Sequence, residues 1–143
     1  MVLCDVNVLL YACTSQSPHH EVCYQKLLTL TSAGEKFAVN DVILAAVIRL
    51  ATNSRIFSPP ASVESVFNFT DALLAHPDSV SVLPSSRHWR IFKDLILTSG
   101  IRGKDTTDAY LAALAIEHGC EWWTTDSDFS RFHGLRWRNL LAS

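Results

Sequence analysis

The chain has 143 residues, 48% apolar and 18% charged, which suits one domain with one core and excludes a disordered polyelectrolyte. Its formal net charge of −2 excludes a global positive field for polyanions, so any nucleic-acid binding must use a local patch. The N-terminal MVLCDVNVLLY lacks the charged and cleavable parts of a signal peptide, and the runs VILAAVI and YLAALAI are too short for a bilayer span; a cytoplasmic protein without a membrane association is expected.

MVLCD reads as a short buried strand closed by Asp5. After the loop SQSP, residues 18–32 read as a helix that starts at Pro18 and stops before Gly34. His19 and His20 are adjacent, so they point to different faces of that helix and do not form a metal pair. Cys4, Cys13, Cys23 and Cys120 form no C-x-x-C pair and read as buried, reduced thiols. KFAV is a second strand. Asn40-Asp41 caps VILAAVIRLATN, whose apolar residues are so continuous that a largely buried helix is expected. Pro59-Pro60 breaks the chain ahead of the helix SVESVFNFTDALLAH, which Pro77 ends. SVSVL reads as a strand, RHWRIFKDLILTS as a helix stopped at Gly100, and DTTDAYLAALAIEH as a helix stopped at Gly119. EWWTT and GLRW complete the strands. The alternation predicts a three-layer α/β/α sandwich with a mainly parallel central sheet, a single domain over residues 1–143.

Ligands of open α/β sheets bind beyond the carboxyl ends of the strands, and acids fall at such junctions here. Asp5 closes the first strand and Asp126 closes EWWTT; Asp41 opens the buried middle helix; Asp105 and Asp108 lie in the first turn of a later helix. Capping offers a structural account of Asp105, Asp108, Asp41 and Asp128. Asp5 and Asp126 are harder to explain that way, because each closes an apolar strand where packing alone asks for no carboxylate.

Two carboxylates about 4 Å apart repel by roughly 4 kcal/mol at an effective dielectric near 20, so a cluster of ionised acids raises its pKa values or binds a cation. An all-oxygen set suits Mg²⁺ or Mn²⁺ better than zinc. The chemistry this points to is metal-assisted phosphodiester hydrolysis, with Asn7, Thr124, Thr125 and Ser127 as hydrogen-bonding partners of a bound water or a phosphate.

The segments LCDVNVLLYA, IRLATNSRIF and DTTDAYLAALAIEHGCEWWTTDSDFSRFHGLRW together resemble the PIN-domain ribonucleases, most closely the VapC toxins of bacterial toxin–antitoxin pairs. The resemblance spans most of the chain. It implies that Asp5, Asp108 and Asp126 hold the metal, with Asp128 as an extra contributor and Asp105, Asn7 and Thr125 in secondary places. The family usually bears a Glu on the middle helix where this chain has Ala46. Asp41, at the start of that helix, is the expected replacement in the catalytic set.

The implied activity is Mg²⁺-dependent endonucleolytic cleavage of RNA by water, leaving a 5′-phosphate and a 3′-hydroxyl. The implied partners are a VapB-type antitoxin and a second copy in a homodimer. Arg49, Arg55, Arg87, Arg90, Lys93, Arg102 and Lys104 are the cationic candidates for RNA, with Arg102 and Lys104 best placed because they directly precede the acids of the 105–118 helix. A single-stranded loop of a structured RNA is the expected substrate class. Trp89, Trp122, Trp123 and Trp137 read as core or subunit-interface residues. Two alternatives stay open: a PIN-like domain that binds RNA or a partner without cutting, motivated by Ala46, and a haloacid-dehalogenase-like phosphatase, whose second Asp is Asn7 here.

Overall fold

The computed structural model describes residues 1–142. The strands are β1 (Val2–Cys4), β2 (Phe37–Val39), β3 (Ser79–Ser81), β4 (Glu121–Thr124) and β5 (Trp137–Asn139). They form one sheet in the order β3-β2-β1-β4-β5, and every pairing is parallel, with Leu3 opposite both Ala38 and Trp122. Leu3, Phe37 and Trp122 are buried, as a sheet covered on both faces requires.

The helices are α1 (Val6–Cys13), α2 (His20–Ser32), α3 (Asp41–Ala51), α4 (Val63–Ala75), α5 (His88–Ser99) and α6 (Thr106–Glu117). Right-handed crossovers place α1 to α4 on one face as the chain steps from β1 to β2 to β3, and α5 and α6 on the other as it returns to β4. The packing agrees: α1 lies against α2 and α3, α3 against α4, and α5 against α6. Gly100 stops α5 in the left-handed conformation at φ 71°, which glycine adopts without a Cβ clash.

Helix α1 has no counterpart in the elements read from the sequence. Its eight residues, VNVLLYAC, are rich in β-branched and apolar side chains and continue the pattern of β1 without a break. The turn into it is made by Asp5, whose carboxylate accepts the Val6 N–H at 2.7 Å. Helix α3 differs from expectation in its burial: Ile43, Leu44 and Val47 are core, while Val42, Ala45 and Arg49 are exposed. Its continuous apolar character covers the core on one side and a cleft on the other.

Candidate active site at the carboxyl edge of the sheet

The strand order reverses between β1 and β4, and the two strands leave a crevice where they end. Asp5 follows β1, Asp126 lies two residues beyond β4, and Asp108 occupies the first turn of α6. All three line one open cleft of about 540 Å³, together with Asn7 of α1, Ala46 and Arg49 of α3, and Tyr110 of α6.

Asp5 is the most constrained of the three, with only 8% of its surface exposed. One carboxylate oxygen accepts the Val6 N–H, and the other accepts the Thr124 hydroxyl at 2.7 Å. Burial outweighs these bonds and pushes the Asp5 carboxyl up to about 6, with Asp108 and Asp126 adding like-charge repulsion. Burial also raises Asp108, against the pull of the Arg131 guanidinium. Arg131 donates to the Asp108 carboxylate at 3.0 Å and lies over the Phe132 ring. Asp126 caps the 3₁₀ turn at Ser127–Arg131 by accepting the Asp128 N–H at 2.9 Å.

Not every residue singled out in the sequence reaches this cleft. Asp41 is exposed and lies outside its lining, because the cleft-facing stripe of α3 runs through Val42, Ala46 and Arg49 at helical spacing. The cap of α3 is made by Asn40, whose side-chain oxygen accepts from Val42 and Ile43 while its amide donates to the Val82 carbonyl. Asp105, Asp128 and Thr125 also stand off the cleft lining. Asp105 sits at the N-cap of α6 without a side-chain cap bond, and the cap expected of Asp128 is made by Asp126. Thr124 is fully buried and serves Asp5, leaving no hydroxyl for a substrate phosphate; Ser127 accepts from Asn139. Of the cationic candidates Arg49 alone lines the cleft, while Arg102 and Lys104 are exposed outside it.

Arg131 is the residue that sequence reasoning missed. It lies 23 positions from Asp108, so no local spacing joins them. Its place in the short turn directly after Asp126 is the signal that points to it.

Three carboxylates opening on one cleft, one of them held well above the ordinary carboxylate range, form an all-oxygen donor set suited to a hard divalent cation. Among the described residues no three His, Cys, Asp or Glu side chains stand close enough together to enclose an ion by themselves.

Residues 2–135 match the PIN domain family. The chain belongs to that family. Within it the similarity runs to VapC ribonucleases: the chain is 38% identical to VapC ribonuclease Mb2897 of Mycobacterium bovis over 141 residues, covering 99% of this chain and 96% of that protein. Ribonuclease VapC43 of Mycobacterium tuberculosis is equally similar over the same span, and at this identity the chain is a member of the VapC family. Its fold is that of solved VapC structures. The VapBC2 complex of Rickettsia felis, bound to a DNA fragment from its promoter, superposes with a TM-score of 0.69 at 18% identity over 97% of this chain and 98% of that one. VapC20 of Mycobacterium tuberculosis, a toxin that cleaves the sarcin–ricin loop, superposes with a TM-score of 0.67 at 13% identity over 95% of this chain and 99% of that one. No helix of the described residues is long and apolar enough to cross a membrane.

Proposed function

We propose that this PIN-domain protein is an endoribonuclease toxin that hydrolyses RNA phosphodiester bonds with a divalent cation, Mg²⁺ or Mn²⁺, bound in the cleft that Asp5, Asp108 and Asp126 line, with water and substrate oxygens completing its shell. The observation that carries the reading is the convergence of these three acids, from three separate elements, on one cleft at the reversal of strand order. A bound divalent cation supplies an acidified water and offsets charge on the leaving oxygen.

The chain's own residues do the rest. Asp5 is oriented by the Val6 N–H and the Thr124 hydroxyl, one on each carboxylate oxygen, and would be one of the residues that hold the ion. Asp108 presents a carboxylate whose orientation Arg131 sets. Arg49 lines the same cleft without an ion pair among the described residues and offers the RNA backbone a cation beside the acids, the role expected of Arg102 and Lys104. Ala46 leaves α3 without a carboxylate in the cleft, and Asp41 does not supply one.

Two protein partners belong to this reading. A cognate VapB-type antitoxin is supported by the likeness to a VapBC complex, and homodimer formation by the exposed Trp89 and Leu97 of α5, which are 68% and 71% accessible. Cleavage of end-labelled RNA by the purified protein tests the reading. Discrete fragments with 5′-phosphates are expected in Mg²⁺, with none in EDTA and none from Asp5→Asn or Asp108→Asn. RNA that stays intact but bound in every condition would replace the nuclease by a binding module.

A further inference from the structure

A second cavity of about 440 Å³ adjoins the acid cleft and shares two of its wall residues, Asn7 and Leu50. Its other walls come from α1, from the α1–α2 loop and from the loop after α3, and they include Tyr11, Gln16, Ile56 and Phe57. The two loops are tied together by the Gln16 side chain, which donates to the Pro59 carbonyl at 2.7 Å. Phe57 is held in a turn by its own N–H and that of Ile56, both donated to the Asn53 carbonyl. Tyr11 packs its ring 5.3 Å from that of His19.

Three properties of this cavity set its ligand. It has the volume of a small-molecule site. It is lined by the aromatic side chains of Tyr11 and Phe57 and by an apolar side chain at Ile56, 48% exposed, yet no acid lines it. At its junction with the acid cleft stands the Asn7 side-chain amide, which makes no hydrogen bond among the described residues, although Asn7 is only half-exposed. An aromatic wall beside a free amide, one step from a site for a phosphodiester, matches an unpaired nucleobase: the ring stacks, and the amide reads a base edge.

We infer that this cavity is a nucleobase subsite, which takes an unstacked base of the RNA next to the scissile phosphate, with Phe57 and Tyr11 as stacking surfaces and Asn7 as the reader at the junction. Arg49, adjacent in sequence to the shared Leu50, lies where the intervening backbone passes. The inference rests on the ribonuclease reading and adds to it a source of sequence preference that the acids cannot provide, since phosphate contacts carry no base identity.

The test pairs a change in the protein with a change in the RNA. Binding of short single-stranded RNA is measured by fluorescence anisotropy in the Asp5→Asn background, which neutralises one acid and blocks turnover, with cleavage by the unmodified chain followed in parallel. The RNA carries a single abasic position moved stepwise along the strand. One abasic position next to the cleavage point is expected to weaken binding roughly tenfold, the size of one base–aromatic stack. Phe57→Leu, which keeps apolar volume but removes the ring, and Tyr11→Leu are expected to weaken binding to intact RNA to a similar extent, while losing little more on the abasic strand. Circular dichroism confirms that each variant is folded, and Ile56→Ala offers a rim substitution that leaves the core intact. Cleavage by the unmodified chain with equal binding of intact and abasic strands would overturn the subsite and leave the nuclease standing. Absence of both cleavage and binding would overturn both.

Discussion

The Thr124 hydroxyl donates to Asp5 at 2.7 Å and at the same time accepts the Asp126 N–H at 3.0 Å, so one buried oxygen joins two of the three cleft acids. Thr124→Val keeps the shape and removes both bonds, leaving a buried carboxylate oxygen and a backbone N–H unpaired. A loss of about 1–3 kcal/mol is expected in urea unfolding, with RNA cleavage reduced more than tenfold because Asp5 is no longer held. Thr124→Ser, which retains the hydroxyl, is expected to keep most of the activity; equal activity of the Val and Ser variants would remove Thr124 from the site.

Asp5 gives stability a pH dependence of known sign. Its carboxyl sits at about 6 in the folded chain against an ordinary value of 3.8, so the folded state binds its proton more tightly than the unfolded state. Stability from this group is therefore greatest below pH 4, falls as pH rises from about 4 to 6, and stays low above that. Asp5→Asn removes a cost on the order of 3 kcal/mol at neutral pH, partly offset by imperfect bonding to Thr124. The variant is expected to melt at higher temperature than the unmodified chain at pH 7.5 in EDTA, with the gap closing near pH 4. Excess Mg²⁺ is expected to stabilise the unmodified chain more than the variant.

The sequence carried the fold through its punctuation. Gly100 and Gly119 stop two helices, Asn40 starts one, and Pro77 ends another, each by a local rule that tertiary contacts reinforce. Helix α1 escaped because its driving signal is Asp5, which closes β1 and caps α1 at once, while VNVLLYAC lacks the polar positions that mark a surface helix. The three cleft acids were legible as strand-end and first-turn carboxylates. The misplacement of Asp41 has a different origin: adjacent residues on a helix differ by about 100° in direction, and Asn40 took the cap that left Asp41 in solvent. Arg131 and the cavity at Phe57 depend on contacts between distant segments, which no single stretch of sequence contains.

Arg131 acts on the site through Asp108. The pair is partly exposed, with side-chain accessibilities of 27% and 32%, so Arg131→Ala is expected to cost about 1 kcal/mol or less in stability. Its effect on chemistry is larger. Removing the guanidinium lifts the one cationic influence that lowers the Asp108 carboxyl, so the acidic limb of the cleavage profile is expected to move to higher pH, with activity at pH 6 falling more than at pH 8. Arg131→Lys restores charge without the planar fork and is expected to recover the limb only in part. A profile that drops uniformly at all pH values would assign Arg131 to substrate contact instead.

Ala46 lines the cleft from α3, at the position where the family resemblance implies a Glu. Ala46→Glu adds a fourth carboxylate to a cleft in which Asp5 already feels repulsion from Asp108 and Asp126. Without a cation the variant is expected to be less stable, because four acids share the space that three strain to occupy. With a cation the sign reverses: the extra oxygen ligand is expected to tighten Mn²⁺ binding by about tenfold, a gain of about 1.4 kcal/mol, read by calorimetry. The same Glu shares its helix face with Arg49 three residues on, and a Glu–Arg pair at that spacing withdraws the cation from RNA. Tighter metal binding together with weaker RNA binding is therefore the expected combination. Unchanged RNA affinity in the variant would show that Arg49 does not contact the backbone.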